Sequence, residues 1–499
     1  MLRIGATTQR LVRSTLRYAS SSKLTKLSLK EEWPGIPTLK PLHDMKTPKT
    51  LVTKLSSGLT VASHEKYETV SAIGIFIGSG SINEQVNEYG STFIMENMAF
   101  KSTESSSHSE IVKRLEEIGA TVTKRSGRDF ISIIVETLRD NVGDCVRLLS
   151  ETITQPRLLD EEIQEATNIL GYFNENRILD RDYLSWSTDF LHAAMFGANS
   201  PYGHGINVQQ PAVNAETLRG FWSKHYVAPN MCLVGVNVDH EQLTGFADKF
   251  FRFQTSPSMP SVFNALDAQQ GKPPAQENRI VKGGSYFAEL AGMDMVEVDL
   301  GFHTNGWLAK DMVALNLLQM ILGGGKMFSA GGPGKGMYSR LYKDVMNRYG
   351  WFESCEITML LSRLHGIASL RALVPPSFVA PTTKILCDHI RQLAAEPLSD
   401  DEFQRAKNQF ESRLYMNLEE RAVMCEDIGN HLLTYGRHVY PEEWSEQINA
   451  ITKEDVMKAV KGLLDLPPAY VVFGSEVNKE YKNFPPIEGI QSYLQMPYK

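Results

Sequence analysis

No stretch of eighteen uncharged apolar residues occurs in the 499-residue sequence, and the nearest approach, Met312 to Leu322, is short and runs into glycines. No membrane-crossing helix is therefore expected. Cysteine is scarce. Cys145, Cys232, Cys355, Cys387 and Cys425 are odd in number and widely spaced, making neither CxxC pairs nor a disulfide framework, which suits a reducing compartment. The twelve histidines contain no HExxH, HxxEH or HxH arrangement; His192 and His204 stand alone, and His431 and His438 are seven apart near a helix end. The spacings that bind catalytic zinc are thus missing, as is a Gly-x-Ser-x-Gly nucleophile elbow.

Acidic residues are missing from one place. Arg3, Arg10, Arg13, Arg17, Lys23, Lys26 and Lys30 all precede the first acid, Glu31, among Ser, Thr and small apolar residues. This is the composition of a mitochondrial targeting peptide, with Leu2, Ile4, Leu11 and Leu16 sharing roughly one helical face. Arg17 lies two residues before Ala19, which predicts removal of residues 1–18 as a presequence. Losing those four arginines takes the formal charge from −7 to −11. An acidic mature protein makes nucleic acid a poor partner and a basic peptide a fitting one.

The remainder has ordinary globular proportions, 42% apolar and 22% charged, and enough length for at least two domains. One segment does not fit a packed core. Seven of the fourteen residues from Gly323 to Gly336 are glycine, in the order Gly323, Gly324, Gly325, Lys326, Met327, Phe328, Ser329, Ala330, Gly331, Gly332, Pro333, Gly334, Lys335, Gly336. Ordering glycine costs more backbone entropy than ordering any other residue, so the segment is read as a mobile contact loop. It is not a phosphate loop. Gly334-Lys335 is followed by Gly336, and Ser329 stands where the first Walker glycine is required; a dinucleotide fingerprint fails at Met337 or Ser339. Met327, Phe328, Met337 and Tyr338 are apolar groups that a plain linker has no use for.

Along the chain, Thr50 to Ser56 and Leu59 to Ser63 flank Ser57-Gly58 as a hairpin, and Val70 to Ile77 is a strand closed by Gly78-Ser79-Gly80. Helices are predicted over 89–100, 109–118, 138–154, 159–177, 182–195 and 215–225, with strands at 130–136 and 231–238. Residues 254–284 carry Pro257, Pro260, Pro273 and Pro274 among Ser, Gln and Gly, and read as an interdomain linker. The plan then repeats. A strand at 295–303 ends in Asn305-Gly306, helix 308–322 follows, then strand 366–374, helix 380–395, a helix opened by Ser399-Asp400-Asp401-Glu402, helix 452–464 and strand 469–473. The expectation is an α+β protein of two homologous domains, 45–253 and 285–499, each a mostly antiparallel sheet packed with helices.

With this duplicated layout, the chain resembles the mitochondrial processing peptidase family over nearly all of its mature length. The resemblance implies the fold shared with LuxS-like metalloenzymes. Catalytic members carry His-x-x-Glu-His on the helix after the opening strands, two imidazoles binding zinc and a glutamate polarising water. The equivalent stretch here is Ser91-Thr92-Phe93-Ile94-Met95-Glu96-Asn97-Met98, so Phe93 and Asn97 occupy the histidine positions and only Glu96 remains. The family's third ligand, a glutamate roughly 75 residues on, falls at Phe173, with Glu175 two positions away. Phenyl rings have no lone pair to offer, and the resemblance implies that this chain is not an enzyme by itself and binds no zinc at these positions.

Ser329 to Leu341, SAGGPGKGMYSRL, resembles the glycine-rich loop of the family's α subunits, which takes part in recognising presequences. That implies a non-catalytic, substrate-recognising α subunit in the mitochondrial matrix, bound in a heterodimer to a β subunit that holds the zinc. The fold also occurs in structural core subunits of the respiratory ubiquinol–cytochrome c reductase, the alternative, which generally do not retain this loop. The loop holds Lys326 and Lys335 and no acid, so it cannot itself pair with presequence arginines. Phe328 and Tyr338 are its expected apolar contacts. Glu353, Glu356, Glu419 and Glu420 are candidate carboxylates on this chain, with others expected from the β subunit.

Overall fold

The computed structural model describes residues 48–179, 182–206, 208, 211, 213–253, 281–327 and 337–498. The predicted presequence, most of the predicted linker and residues 328–336 of the glycine loop lie outside the described residues.

The N-terminal half contains β1 (Leu51–Lys54), β2 (Thr60–His64), β3 (Val70–Ile77), α1 (Ser91–Met98), α2 (His108–Glu117), β4 (Thr121–Ser126), β5 (Ile131–Leu138), α3 (Val142–Thr154), α4 (Asp160–Leu179), α5 (Tyr183–Phe196), α6 (Ala215–His225), β6 (Met231–Val236) and α7 (His240–Phe250). The C-terminal half contains β7 (Gly284–Glu289), β8 (Val296–Asn305), α8 (Met312–Leu322), β9 (Gly324–Lys326), a π-helical turn (Leu341–Met346), β10 (Ser354–Leu361), β11 (His365–Val374), α9 (Val379–Ala395), α10 (Asp400–Asn417), α11 (Arg421–Tyr435), α12 (Pro441–Ala450), α13 (Lys453–Gly462), β12 (Ala469–Gly474), α14 (Val477–Glu480) and α15 (Ile487–Gln495). Gly284 already pairs with Ala469, so sheet structure begins at the last residue of the predicted linker.

The halves have the same sheet. One orders its strands β1-β2-β6-β3-β5-β4 and the other β7-β12-β8-β11-β10-β9. Strand β2 runs parallel to β6 as β7 does to β12, and the other pairs are antiparallel. Superposing the orders leaves one extra strand per half, at opposite edges: β1 in the first and β9 in the second. Since α8 follows β8 as α1 follows β3, the glycine loop leaves the counterpart of the helix that carries Phe93 and Asn97.

Strand periodicity places alternate side chains on opposite faces. In β3, Ile73, Ile75 and Ile77 join the core beneath α1, α2, α3 and α7. Ala72 and Phe76 face the other way, against Cys425, Ile428, Leu432 and Leu433 of α11, a helix from the C-terminal half. The reverse exchange also occurs. Val298, Leu300 and Phe302 of β8 pack into the C-terminal core, while the opposite face of that sheet, through Ile367, Ala469, Val471 and Phe473, receives Trp186, Phe190, Leu191 and Met195 of α5. Each half thus covers the far face of the other's sheet with one helix. Two glycines make room: a Cβ on Gly74 of β3 would stand 2.9 Å from Cys425 Sγ, and one on Gly301 of β8 would stand 2.8 Å from Leu191 Cδ2. Gly74 pairs with Val234 and Gly301 with Ala469, equivalent points of the two sheets.

Candidate functional site

Helix α1 is held from its start. Gly90, with φ 94°, turns the chain into it, and the buried Glu84 carboxylate accepts the backbone N–H groups of Gly90 at 3.0 Å and Thr92 at 2.6 Å. Negative charge at a helix N-terminus opposes the positive end of the helix dipole. Ile94, Met95 and Met98 are buried, which leaves Phe93, Glu96 and Asn97 on the partly exposed face. The Phe93 ring lies 6.2 Å, centroid to centroid, from Phe173 of α4, which is 38% exposed. The Asn97 amide donates to the Phe93 carbonyl at 2.9 Å. Glu96 accepts the backbone N–H of Ser126 at 2.9 Å and its hydroxyl at 2.5 Å, tying α1 to the end of edge strand β4. Glu175 is exposed on α4. Nearby, Arg177 stacks 4.0 Å over the Trp186 ring and pairs with Asp189 at 3.4 Å. A ring pair, a spent amide and a carboxylate committed to a strand end form no tetrahedral zinc set.

The glycine loop is rooted firmly on both sides. Gly323 caps α8 at φ 56°, and a Cβ there would stand 2.4 Å from the Ser339 side chain. Gly324 has φ 106°, and a Cβ there would meet the Cys355 carbonyl oxygen at 2.1 Å, so neither position admits a larger residue without rearrangement. Gly324 to Lys326 form β9, in register with Glu356, Cys355 and Ser354. Gly323 O accepts Ile357 N–H at 3.1 Å, and Met327 N–H donates to Glu353 O at 2.8 Å. Met327 packs against the C-terminal core. This corrects the expectation of a mobile loop from Gly323 onward: residues 323–327 are a helix cap and an edge strand, because paired backbone and a half-buried thioether hold them. On the far side, the Ser339 hydroxyl accepts Gly324 N–H at 3.1 Å, closing the two roots on each other. Arg340 makes a bidentate pair with Glu402 of α10 at 2.7 and 2.9 Å. Tyr338 beside it is 76% exposed.

A charged row leads inward from this root. Gly324, Glu356, Arg371 and Asp299 are register partners across β9, β10, β11 and β8. Arg371 Nε lies 3.1 Å from Glu356 and 3.3 Å from Glu297, so one guanidinium serves two carboxylates. Burial pushes the Glu297 carboxyl up strongly, with the neighbouring Asp299 charge adding to it and Arg371 opposing. Asp299 is likewise pushed up by burial, against the opposing charge of Arg371. Of the candidate acids, Glu353 and Glu356 therefore stand at the loop root. Glu419 and Glu420 are exposed, and the Glu419 carbonyl accepts Lys66 of the N-terminal half at 3.1 Å. Glu297, Asp299 and Arg371 escaped sequence reasoning, since charges alternating with Val296, Val298 and Leu300 read as the wet face of a strand; here α5 covers that face.

The histidines divide. His192 is buried with Nδ1 2.7 Å from the Thr188 carbonyl, and His204 contacts Ser200 and Glu84, both satisfied structural groups. His431 and His438, separate in the sequence, are brought together with Asp427.

Known proteins match both halves. The family model described as "Insulinase (Peptidase family M16)" matches residues 60–204, and the one described as "Peptidase M16 inactive domain" matches residues 212–410. The chain is 31% identical over 442 residues to the mitochondrial-processing peptidase subunit alpha of Solanum tuberosum, covering 87% of this chain and 84% of that one. It is 31% identical over 440 residues to the corresponding subunit of Caenorhabditis elegans, covering 85% and 84%. With the Homo sapiens subunit the identity is 29% over 494 residues, covering 96% and 91%.

Proposed function

The chain belongs to the M16 peptidase family, among its mitochondrial-processing peptidase alpha subunits, and from that premise we propose that it is the non-catalytic, substrate-recognising subunit of a heterodimeric processing peptidase in the mitochondrial matrix. The observation that carries the reading is the contrast between the two equivalent helices. Helix α1 holds Phe93 and Asn97 at the positions where catalytic members place zinc ligands, while α8 runs into a glycine segment whose two ends are pinned by Ser339 and by Arg340 with Glu402. In this reading zinc and the attacking water belong to the β subunit, and residues 323–336 contact the basic presequence. Exposed Tyr338 supplies apolar contact. Glu356 is the carboxylate in register with the loop's first strand residue, and is the candidate for a presequence arginine. Residues 1–18 act as this chain's own presequence, and 254–284 join the two domains. The family names of the relatives favour this reading over a respiratory core subunit.

The test is reconstitution. The purified chain should not cleave a mitochondrial precursor alone and should do so when mixed with its β partner, with chelator abolishing the activity. Chelator-sensitive cleavage by the isolated chain would defeat the reading, as would an inactive mixture from a chain that co-purifies with the respiratory complex. N-terminal sequencing of the imported protein checks the cut after Tyr18.

A further inference from the structure

Helix α11 stops at Gly436, whose φ of 71° turns the chain back along the helix it has just left. His438 thereby returns beside Asp427 and His431, which are four apart on one helical face. Asp427 Oδ2 lies 3.3 Å from His431 Nδ1 and 3.7 Å from His438 Nε2. One ligand atom from each of the three lies within 4.8 Å of the others, and among the described residues no other His, Cys, Asp or Glu trio converges so. Zinc held tetrahedrally at about 2.0–2.1 Å keeps neighbouring ligand atoms roughly 3.3 Å apart, so the trio needs only a small side-chain adjustment to enclose one.

Two further observations favour a metal over a simple hydrogen-bonded cluster. His431 is 8% exposed, yet its Nδ1, 3.3 Å from Asp427 Oδ2, makes no hydrogen bond. His438 turns its other nitrogen, Nδ1, to Thr50 Oγ1 at 2.7 Å, and that hydroxyl lies 3.1 Å from His64 Nδ1. A ring nitrogen fixed by a neighbour so that the other faces a metal is the usual support of a zinc-bound histidine. The nearby cation, Arg437, is already paired with Glu443 at 2.8 Å. Asp427 and His431 also line a cavity of about 530 Å³ with Asn430, Tyr435 and Trp444, which leaves a side open for water.

We infer that Asp427 Oδ2, His431 Nδ1 and His438 Nε2 bind a zinc ion, with a water from the cavity as fourth ligand. Two imidazoles and one carboxylate suit zinc; calcium and magnesium prefer all-oxygen sets, and no thiolate is present to select copper(I). The site is separate from α1, whose family zinc positions remain without ligands. It does not rest on the processing role.

The experiment uses the untagged full chain, stripped with chelator and titrated with Co²⁺ in the absence of any β subunit or precursor. One Co²⁺ should bind per chain, with the visible absorption of a four-coordinate nitrogen and oxygen site and no thiolate charge-transfer band, and Zn²⁺ should displace it. His431→Gln and His438→Gln should each weaken binding by at least 100-fold, and Thr50→Val by about 10-fold. Should a variant fail to fold, metal-edge anomalous diffraction on the wild-type chain decides, by placing the ion between these three side chains or elsewhere. No saturable binding, binding unaltered in folded variants, or an ion located elsewhere would each overturn the assignment.

Discussion

The Phe93 and Phe173 rings meet with their centroids 6.2 Å apart, joining α1 to α4. Their contact is a small apolar joint between the two helices. Both rings are only partly buried, so Phe93→Ala should cost roughly 1–2 kcal/mol, below the 3–5 kcal/mol of a core phenylalanine. Precursor cleavage by the reconstituted heterodimer should stay within twofold of wild type. Urea unfolding and a processing assay on the same preparation check both halves of this expectation.

The rooted loop lets its proposed role in recognition be tested apart from folding. Removing only residues 328–336 and bridging the gap with a short Gly-Ser linker should leave thermal unfolding near that of the parent, because the edge strand and the Arg340–Glu402 pair remain. Precursor turnover should fall at least tenfold. Gly324→Ala should do the opposite, losing roughly 2–3 kcal/mol of stability through its positive φ and the collision with the Cys355 carbonyl. Equal effects of the two changes on unfolding would contradict the division.

Glu297 and Asp299 predict an unusual slope with pH. Their folded-state proton affinity is raised by burial above the value near 4 expected in the unfolded chain. Above about pH 4 the unfolded chain therefore releases protons that the folded chain keeps, and stability falls as pH rises toward and through neutrality. The contribution is complete below that carboxylate range and lost at alkaline pH. Denaturant midpoints measured across this window should decline, and Glu297→Gln should flatten the decline; an unaltered slope in that variant removes the pair as its origin.

Packing between the halves gives a fourth test. A Cβ on Gly429 of α11 would come 2.5 Å from the Phe76 ring of β3, so Gly429→Ala should destabilise by about 1–3 kcal/mol. Adding Phe76→Leu should recover part of the loss, since the smaller side chain frees the space. Two strictly additive penalties in a double-mutant cycle would mean that the contact does not carry the effect.

The duplicated order of strands and helices was legible because apolar periodicity and turn residues are local signals. Val70 to Ile77 and residues 215–225 coincide with β3 and α6. Strand β4 was not legible: Thr-Val-Thr-Lys-Arg-Ser is a polar edge strand with one half-exposed face, and β9 is three residues of Gly-Gly-Lys that no propensity would nominate. The i, i+4 spacing set Phe93 and Asn97 on one helical face, but their distance from Phe173 is a tertiary fact. Nothing local announces that α5 lies on the far sheet, or that a turn after Tyr435 carries His438 back to Asp427.

The exchange of α5 and α11 has the geometry of a swapped dimer whose two chains have been joined end to end. In such a fused pair neither half owns a complete outer layer, and the mutual embrace of helices does the holding. A chain cut between residues 253 and 281 should survive as two associated fragments, and either fragment made alone should expose the apolar sheet face that its absent twin was shaped to cover.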